Sequence, residues 1–384
     1  MKIAAITNSR IPSLTANSIQ AMKVTQALMQ LGYQVRMFAP HETDHASRET
    51  LLAHYGLQLV PELELLPSNK YLKRLDFILH ARRAAKRFGA DLMYTWLPQS
   101  AALALWSGNP VVLEMHADVA GVSGVWWLRQ FWKARGRKLM TVTTSALRNA
   151  LERSTGLSFP NEHVMVAPNG VELEKYENLP GPAEARRELN LPESPTVGFT
   201  GHIYPGRGAD LLFELAKKMP QVNFLWVGGT PELVEFWRKK LNEGKMKNLM
   251  LTGFVQHARI PLYQAAADIL LMPYSRSVEA SSGQDIAEVI NPMKMFEYMA
   301  AGRAIVSADL PSIREVLNEE NAVFCKASES REQKVDIREW NAAIESLLTD
   351  DSRRIALGSQ ARHDVEKFSW LVREKRVLKD FVSL

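Results

Sequence analysis

The chain begins with a short apolar block at residues 2–7, which predicts a β-strand. After a polar loop, apolar residues recur every three or four positions from about residue 17 to residue 31, the spacing of one helical face. That face consists of Ala21, Val24, Leu28 and Leu31. Gly32 is typical of a helix C-terminus, and a second apolar block follows at 33–39. Strand, helix and strand in this order predict the start of a parallel α/β sheet.

The same alternation continues in two successive units. The first is predicted to contain further strands at 91–95, 111–115, 139–144 and 163–167. The second begins near Pro195, with predicted strands at 196–200, 222–227, 249–254, 269–272 and 304–307. Ser145 is the predicted N-cap of a helix at 146–153. A stretch rich in Pro, Glu and Gly, 176–194, is the predicted linker, so we expect two α/β domains at 1–175 and 195–365.

Composition narrows the class of protein only slightly. The 384 residues are 46% hydrophobic and 23% charged, typical of a globular protein with a core in each half. A net charge of +5 favours anionic partners, whether nucleotide phosphates, acidic lipid or nucleic acid. The single cysteine, Cys325, excludes an internal disulfide and is expected to be buried. We expect no export signal and no spanning helix, because the apolar runs are too short.

A glycine-rich loop at 201–208 joins a predicted strand to a predicted helix. Gly201, Gly206 and Gly208 would let backbone N–H groups approach a phosphate, and Arg207 adds a cation with several donors. Arg207-Gly208 stands where a Walker A loop requires Lys-Ser/Thr, so that motif is excluded. Alone, the loop is equally compatible with a tight turn that carries a surface arginine.

A second candidate constellation spans residues 291–302, where a helix is predicted at 292–301. Lys294 falls in its first turn, where a cation opposes the helix dipole unless an anion binds there. Glu297 lies three residues further on and shares the face of Lys294. The face would offer a cation for phosphate and a carboxylate for paired hydroxyls such as those of ribose. The alternative is an exposed Lys–Glu pair of little energetic value.

Together these motifs give the chain a specific resemblance. The two stretches lie about 90 residues apart, each at the start of a helix in the second unit. This arrangement resembles glycosyltransferase family 4. Further similar segments are 292–306, Pro168–Val171, Thr143–Ser145, Ala267–Ile269 with Pro273–Tyr274, and Ser369–Trp370. The resemblance implies the GT-B fold, with two Rossmann-like domains whose parallel sheets face a central cleft, and a C-terminal helix at 366–384 that crosses back to the first domain.

The resemblance also implies roles for individual residues. Arg207 would bind the donor diphosphate, and Glu297 would bind the ribose hydroxyls. His116 would lie near the donor sugar. The implied catalytic residues are His116, Arg207 and Lys294. The implied donor-binding residues are Gly201, Gly206, Arg207, Asn291, Met293, Lys294 and Glu297. The residues expected to line the cleft are Ser13, Asn17, Asn169 and Gly170.

Three positions depart from the family pattern. Val289 stands where the family's E-x7-E motif has its first glutamate, and His202 stands where it has a second phosphate-binding arginine. The first loop, 11–18, lacks the usual Gly-Gly. The chain is more similar to a branch with a "GHLYPGRG"-like loop, in which Lys294 and the amides at 291–293 would replace the missing groups. Glu288 and Asp285 are weaker candidates for the same task.

The predicted reaction is transfer of a sugar from a nucleotide diphosphate-sugar to a hydroxyl acceptor. Charge grows on the β-phosphate as the sugar leaves, and Arg207, Lys294 and a helix N-terminus could stabilise it. No D-x-D motif is present, so we expect neither metal nor cofactor. Retention of configuration is implied by the family. The alternatives are a nucleotide-sugar epimerase of the same fold and a non-catalytic nucleotide-sugar-binding scaffold; nucleic-acid binding is not expected.

A tryptophan-rich basic segment, 125–138, lies in the first domain, the acceptor side of this fold. Its tryptophans are Trp126, Trp127 and Trp132, and a second basic run occupies 70–87. Large amphipathic rings beside cations suit an anionic membrane surface and a lipid-linked acceptor. We expect a cytoplasmic protein, and this segment is compatible with contact between it and the inner face of the membrane. The alternative is that the rings pack on the sheet and the cations are solvated.

Overall fold

The computed structural model describes residues 1–42, 46–72, 74–202, 206–278, 285–329 and 336–383. The chain divides into two compact units, one made of Met1–Asn169 with the segment from Trp370 onwards and one of Gly170–Ser369. Each unit is a parallel α/β layer structure, which confirms the predicted fold class of two Rossmann-like domains. Among the described residues, no helix combines the length and apolar character that crossing a membrane requires.

The first unit is built on a seven-stranded parallel sheet in the order β3-β2-β1-β4-β5-β6-β7. The strands are β1 Lys2–Ile6, β2 Gln34–Pro40, β3 Glu62–Leu66, β4 Leu92–Thr95, β5 Val111–Met115, β6 Lys138–Val142 and β7 Val164–Val166. The helices are α1 Ala16–Gln30, α2 Arg48–Tyr55, α3 Leu75–Phe88, α4 Pro98–Trp106, α5 Gly121–Lys133 and α6 Ser145–Thr155. The central strands are buried on both faces, as the helical layers of a parallel sheet require.

The second unit has a six-stranded parallel sheet in the order β10-β9-β8-β11-β12-β13. Its strands are β8 Thr196–Thr200, β9 Asn223–Val227, β10 Leu249–Leu251, β11 Ile269–Met272, β12 Ala304–Ala308 and β13 Val323–Cys325. Its helices are α7 Pro182–Glu188, α8 Ala209–Lys218, α9 Pro231–Glu243, α10 Ile260–Ala265, α11 Met293–Ala300, α12 Arg338–Thr349 and α13 Asp351–Asp364. Cys325 is buried, as predicted, and burial raises the pKa of its thiol to about 12.

The last helix, α14 Trp370–Ser383, belongs to the first unit, where it packs against α1 and β6. It begins four residues after the predicted boundary at 366, because Val365–Phe368 forms a 3-10 helix that still belongs to the second unit. The helix therefore adds to the helical layer of the first unit, beside α1 and over β6.

Two local expectations are wrong. The N-cap of α6 is Thr144, whose Oγ1 accepts a hydrogen bond from the Leu147 amide at 3.0 Å, so Ser145 is the first helical residue. The predicted linker 176–194 is a packed part of the second unit. It contains α7, where Arg186 is buried and donates to the Asp268 carboxylate at 2.9 Å. This buried ion pair fixes a segment whose composition alone indicated a loop.

Candidate functional site

The loop after β8 is shaped by its glycines. Gly201, Gly206 and Gly208 have φ angles of 122°, 80° and 87°, a region that side-chain-bearing residues rarely adopt. Gly206 lies directly against the Ser277 carbonyl, and its own carbonyl accepts from the Ser275 amide at 3.0 Å. The loop is thus held close to the segment after β11. Residues 203–205 of the predicted motif lie outside the described residues.

Lys294, near the start of α11, is a buried cation over an aromatic ring. It is only 9% exposed, and its Nζ lies 3.7 Å from the centroid of the Phe199 ring. Among the described residues, Nζ has no hydrogen-bond acceptor. A Cβ on Gly201 would lie 2.9 Å from this Nζ, so the glycine makes room for the ammonium group. Burial, and then the nearby Arg207, lower the pKa of Lys294 well below its usual value, and Glu297 partly opposes them.

Arg207 and Glu297 share the electrostatic environment of Lys294. The buried Tyr274 senses both: its pKa is raised to about 12, mainly by burial, with Arg207 lowering and Glu297 raising it. Glu297 Oε2 accepts a hydrogen bond from Gln264 Nε2 at 3.2 Å. Two cations and one carboxylate therefore meet where the loop after β8 and the start of α11 come together.

Gln264 positions Glu297, and the motifs in the sequence did not reveal it. Its Nε2 also donates to Thr200 Oγ1 at 3.2 Å, and its Oε1 accepts from Tyr176 Oη at 2.9 Å. The amide is completely buried on α10. A fully buried glutamine held by three partners orients the carboxylate, but it lies 33 residues from Glu297, beyond the reach of any local pattern.

Packing explains the departure from the E-x7-E motif. Val289 is 7% exposed and belongs to the core, whereas Glu288 is exposed. Asp285 serves the loop: it accepts from the amides of Val278 and Ala287 at 3.1 and 3.0 Å and from Ser277 Oγ at 2.6 Å. Asp285 thereby organises the segment that contacts Gly206.

The remaining predicted donor residues stand at the start of α11. Asn291 is 8% exposed, and Pro292 is the N-cap of the helix without a side-chain capping bond. Met293 is half-buried in the first turn. Amides of a first turn that no side chain caps can donate to an anion. The structure thus brings Gly201, Gly206, Arg207, Asn291, Met293, Lys294 and Glu297 into one region of the second unit.

In the first unit, His116 follows β5 directly. Its Nε2 lies 2.8 Å from Glu114 Oε1, and its side chain is 18% exposed. Glu114 is completely buried and also accepts from Gln20 Nε2 at 2.6 Å, Tyr94 Oη at 2.5 Å and Arg373 Nη2 at 2.5 Å. Burial alone would raise the pKa of Glu114, but Arg373 and His116 outweigh it and lower the value to about 2. Glu114 is therefore ionised.

The structure distributes the expected cleft residues over both units. Ser13 is half-buried, its amide donates to Tyr55 Oη at 2.9 Å, and Asn17 is exposed in the first turn of α1. Asn169 is the last residue of the first unit before the crossover, and Gly170 is the first of the second; both are buried. The place of these four residues at a site stays a prediction.

A buried anion site is the chemistry that the second unit supports. Two cations, uncapped helix amides and a positioned carboxylate suit a phosphate-bearing molecule with hydroxyl groups. Among the described residues, no group of three or more His, Cys, Asp and Glu could hold a metal ion. Metal independence itself stays a prediction.

The comparisons with known proteins agree with this geometry. The family model described as Glycosyltransferase Family 4 matches residues 18–175, and that described as Glycosyl transferases group 1 matches residues 194–350. The chain belongs to this family of glycosyltransferases. Anabaena HepE in complex with UDP has the same fold, with a TM-score of 0.75, 17% identity and coverage of 100% of both chains.

Two curated relatives illustrate the range of the family. A putative teichuronic acid biosynthesis glycosyltransferase of Bacillus subtilis is 31% identical over 41% of this chain, which spans only 37% of that protein. A GDP-mannose-dependent alpha-(1-6)-phosphatidylinositol monomannoside mannosyltransferase of Mycolicibacterium smegmatis is 22% identical over 90% of this chain and 89% of its own length.

Proposed function

We propose that the protein transfers a sugar from a nucleotide diphosphate-sugar to a hydroxyl group, with retention of configuration. The observation that carries the proposal is the Lys294 ammonium, which is buried beside Gly201 and has no hydrogen-bond acceptor among the described residues. A buried cation without an acceptor is unfavourable, and a phosphate oxygen would supply what it lacks. The HepE relative, whose structure contains UDP, supports this choice of ligand.

The arrangement assigns a role to each charged group. Lys294 and Arg207 would bind the diphosphate and stabilise the negative charge that grows on the β-phosphate as the sugar leaves. Glu297, held by Gln264, would accept hydrogen bonds from the ribose hydroxyls. For His116, the family resemblance implies a role near the donor sugar. No metal is needed for these roles.

A ligand panel tests donor binding. We expect one of UDP, GDP and ADP, and its sugar conjugates, to stabilise the protein by about 2.7 kcal/mol at 100 times its dissociation constant. Glu297→Ala should weaken that binding more than it lowers the melting temperature, because the carboxylate acts in the complex. Glu214→Ala, an exposed glutamate of α8, is the matched control. A Glu297 variant that melts much lower yet binds donor normally would make the carboxylate structural.

Turnover must be measured separately from binding. Mass spectrometry of an incubation with donor and candidate hydroxyl acceptors should show transfer that survives EDTA. Loss of transfer on chelation, restored by Mn²⁺ or Mg²⁺, would contradict the metal-independent mechanism. Binding of nucleotide without transfer to any acceptor would favour the non-catalytic scaffold, and a changed sugar configuration without transfer would favour the epimerase.

We further propose a lipid-linked acceptor, which the acceptor named for the mycobacterial relative supports. In the first unit, α4 and α5 pack together and expose Trp106, Trp126 and Val122, which are 52%, 47% and 88% exposed. Trp127 joins them, with its ring centroid 6.0 Å from that of Trp106. An open pocket of about 610 Å³ is lined by Ala120, Gly121, Val122, Ser123 and Trp126, which begin four residues after His116.

Trp132 does not share this surface. Its ring is half-buried and stacks edge-on against Phe159, with centroids 4.7 Å apart. The alternative interpretation, packing within the domain, therefore holds for Trp132, while Trp126 and the exposed cations Arg129 and Lys133 remain available to a surface. Anionic headgroups would attract these cations and the rings would enter the headgroup layer.

Vesicle sedimentation tests this surface. The protein should sediment with anionic phosphatidylglycerol vesicles in a salt-sensitive way, at about 1 kcal/mol for each cation near the surface. Val122→Ser with Trp126→Ser should weaken sedimentation. Phe254→Ser is the control, because Phe254 is about as exposed as Trp126, at 52% against 47%, but lies in the second unit. Equal sedimentation of all three folded proteins, or none, would contradict membrane contact.

A further inference from the structure

A buried polar network in the first unit joins the C-terminal helix α14 to Glu114, which lies in β5 two residues before His116. Arg373 of α14 donates to Glu114 Oε1 at 2.5 Å and also to the carbonyls of Pro168 and Ala167 at 2.8 and 3.1 Å. Both Arg373 and Glu114 have side chains at most 3% exposed. Arg373 therefore links three parts of the unit: its own helix α14, the segment after β7, and the Glu114 carboxylate of β5.

We propose that Glu114 is the positioning residue of His116, that it holds the proton on Nε2 and leaves Nδ1 to face the substrate, and that Arg373 holds Glu114 in place. This inference rests on the proposed sugar transfer, in which His116 contacts the donor sugar. It adds to that function a reason why the imidazole presents one particular nitrogen.

The direction of the His116 bond follows from the state of Glu114. Because the Glu114 carboxyl is ionised, it can only accept hydrogen bonds. The 2.8 Å contact between His116 Nε2 and Glu114 Oε1 therefore requires a proton on Nε2. In the neutral ring Nδ1 is then the acceptor, which suits a sugar hydroxyl that donates.

The carboxylate cannot turn to release the histidine. Gln20 Oε1 accepts from Trp96 Nε1 at 2.9 Å, so the Gln20 amide group must point its N–H at Glu114, where the distance is 2.6 Å. Tyr94 Oη donates to the other carboxylate oxygen at 2.5 Å. Glu374, the neighbour of Arg373, contacts the guanidinium instead of His116. Within the described part of the chain, the charged and titratable groups around Glu114 are thus Arg373, Glu374, Tyr94 and His116.

Nitrogen NMR of the full chain labelled with ¹⁵N-histidine measures the proposal without using activity. The His116→Gln variant identifies the His116 signals. At a pH where the ring is neutral, the wild-type chain should show mainly the Nε2–H tautomer. Glu114→Gln should convert this to a mixture, whereas Glu374→Gln, in the same network but without contact to His116, should leave it unchanged.

Kinetics provide the second measurement. Glu114→Gln should lower kcat about 10- to 100-fold, as loss of an orienting partner does elsewhere, with the donor KM changed less than about threefold. If Glu114→Gln fails to fold because Arg373 loses one of its two carboxylate partners, the double variant Glu114→Gln/Arg373→Met removes both charges of the Glu114–Arg373 pair and is used instead. The same tautomer mixture is expected there.

The outcomes separate this inference from the proposed function. A wild-type Nδ1–H tautomer, or a tautomer that neither variant changes, would overturn the positioning role even if sugar transfer is observed. A tautomer change without any sugar transfer in the wild-type chain would support the positioning role and reject the proposed function. A loss of kcat in Glu374→Gln equal to that of Glu114→Gln would also overturn it.

Discussion

Each unit buries a charged side chain near the carboxyl end of its sheet, and the two are surrounded in opposite ways. Glu114 in the first unit receives donors from Gln20, Tyr94 and Arg373 as well as His116. Lys294 in the second unit lies over the rings of Phe199 and Tyr274 and has no hydrogen-bond acceptor among the described residues. The fold supplies hydrogen-bond donors to the Glu114 carboxylate but, among the described residues, no acceptor for the Lys294 ammonium group.

The difference separates two uses of a buried charge. Breaking a satisfied buried pair leaves an uncompensated charge and is strongly destabilising. A buried charge without an acceptor already destabilises the free protein, so its removal relieves the fold and harms only the complex. We therefore propose that Glu114 belongs to the architecture that positions His116 and that Lys294 binds a ligand.

The largest effect is expected from the satisfied charge. Arg373→Gln should lower the free energy of unfolding of the first unit by about 3–5 kcal/mol, because Glu114 loses its cation. Chemical denaturation monitored by circular dichroism measures it. Arg376→Gln, an exposed arginine of the same helix that donates to the Val166 carbonyl, should cost less than about 1 kcal/mol. Equal losses in both variants would contradict the importance of the network.

Lys294→Met should not lower the stability of the free protein, in contrast to Arg373→Gln. We expect a melting temperature equal to or above that of the wild type, because methionine removes a buried ammonium and keeps its packing. Binding of the nucleotide selected by the panel should weaken by about 1.5–3 kcal/mol, as for a lost charged hydrogen bond. Isothermal titration measures this, with the exposed Lys218→Met as control. A destabilised variant that binds nucleotide normally would refute the comparison.

The smallest expected effect is the pH dependence of stability that the buried carboxyl groups of the first unit produce. Glu374 is buried, and burial raises its pKa to about 7, although Arg373 opposes this. Since its unfolded value is near 4.5, the folded protein holds the proton more tightly, and stability should fall as pH rises from about 4.5 to 7. Glu114, with a lowered pKa, contributes stability above about pH 4.5 that is lost as pH falls towards 2.

Glu374→Gln isolates this contribution. Between pH 5 and pH 7.5, the free energy of unfolding should decline less in Glu374→Gln than in the wild type, by a difference on the order of 1–2 kcal/mol. Melting temperatures measured over the same pH range should show the same difference in slope. Glu366→Gln, outside the network, should follow the wild type. Parallel curves for wild type and Glu374→Gln would show that the carboxyl does not titrate in this range.

Much of the fold follows from short-range patterns. Apolar blocks with helical segments between them predict both parallel sheets, because strand and helix periodicities are local properties of the chain. The glycine-rich loop and the Lys294–Glu297 spacing are local in the same sense, and the structure does bring them together. At 176–194 the composition predicted a linker, but the segment is packed in the second unit. Its Arg186 pairs with Asp268, which lies 82 residues further along the chain and is therefore beyond any local pattern.

The tertiary structure alone decided how the charges are partnered. Glu114 and Arg373 are 259 residues apart, and their pairing arises only when α14 packs over the sheet of the first unit. A lone glutamate within the apolar strand Val111–Met115, two residues before His116, was the one local signal of this network. Whether Lys294 would be solvated or buried over Phe199 was likewise undetermined by its own helix. Burial and charge pairing depend on contacts between distant segments, which local periodicity does not encode.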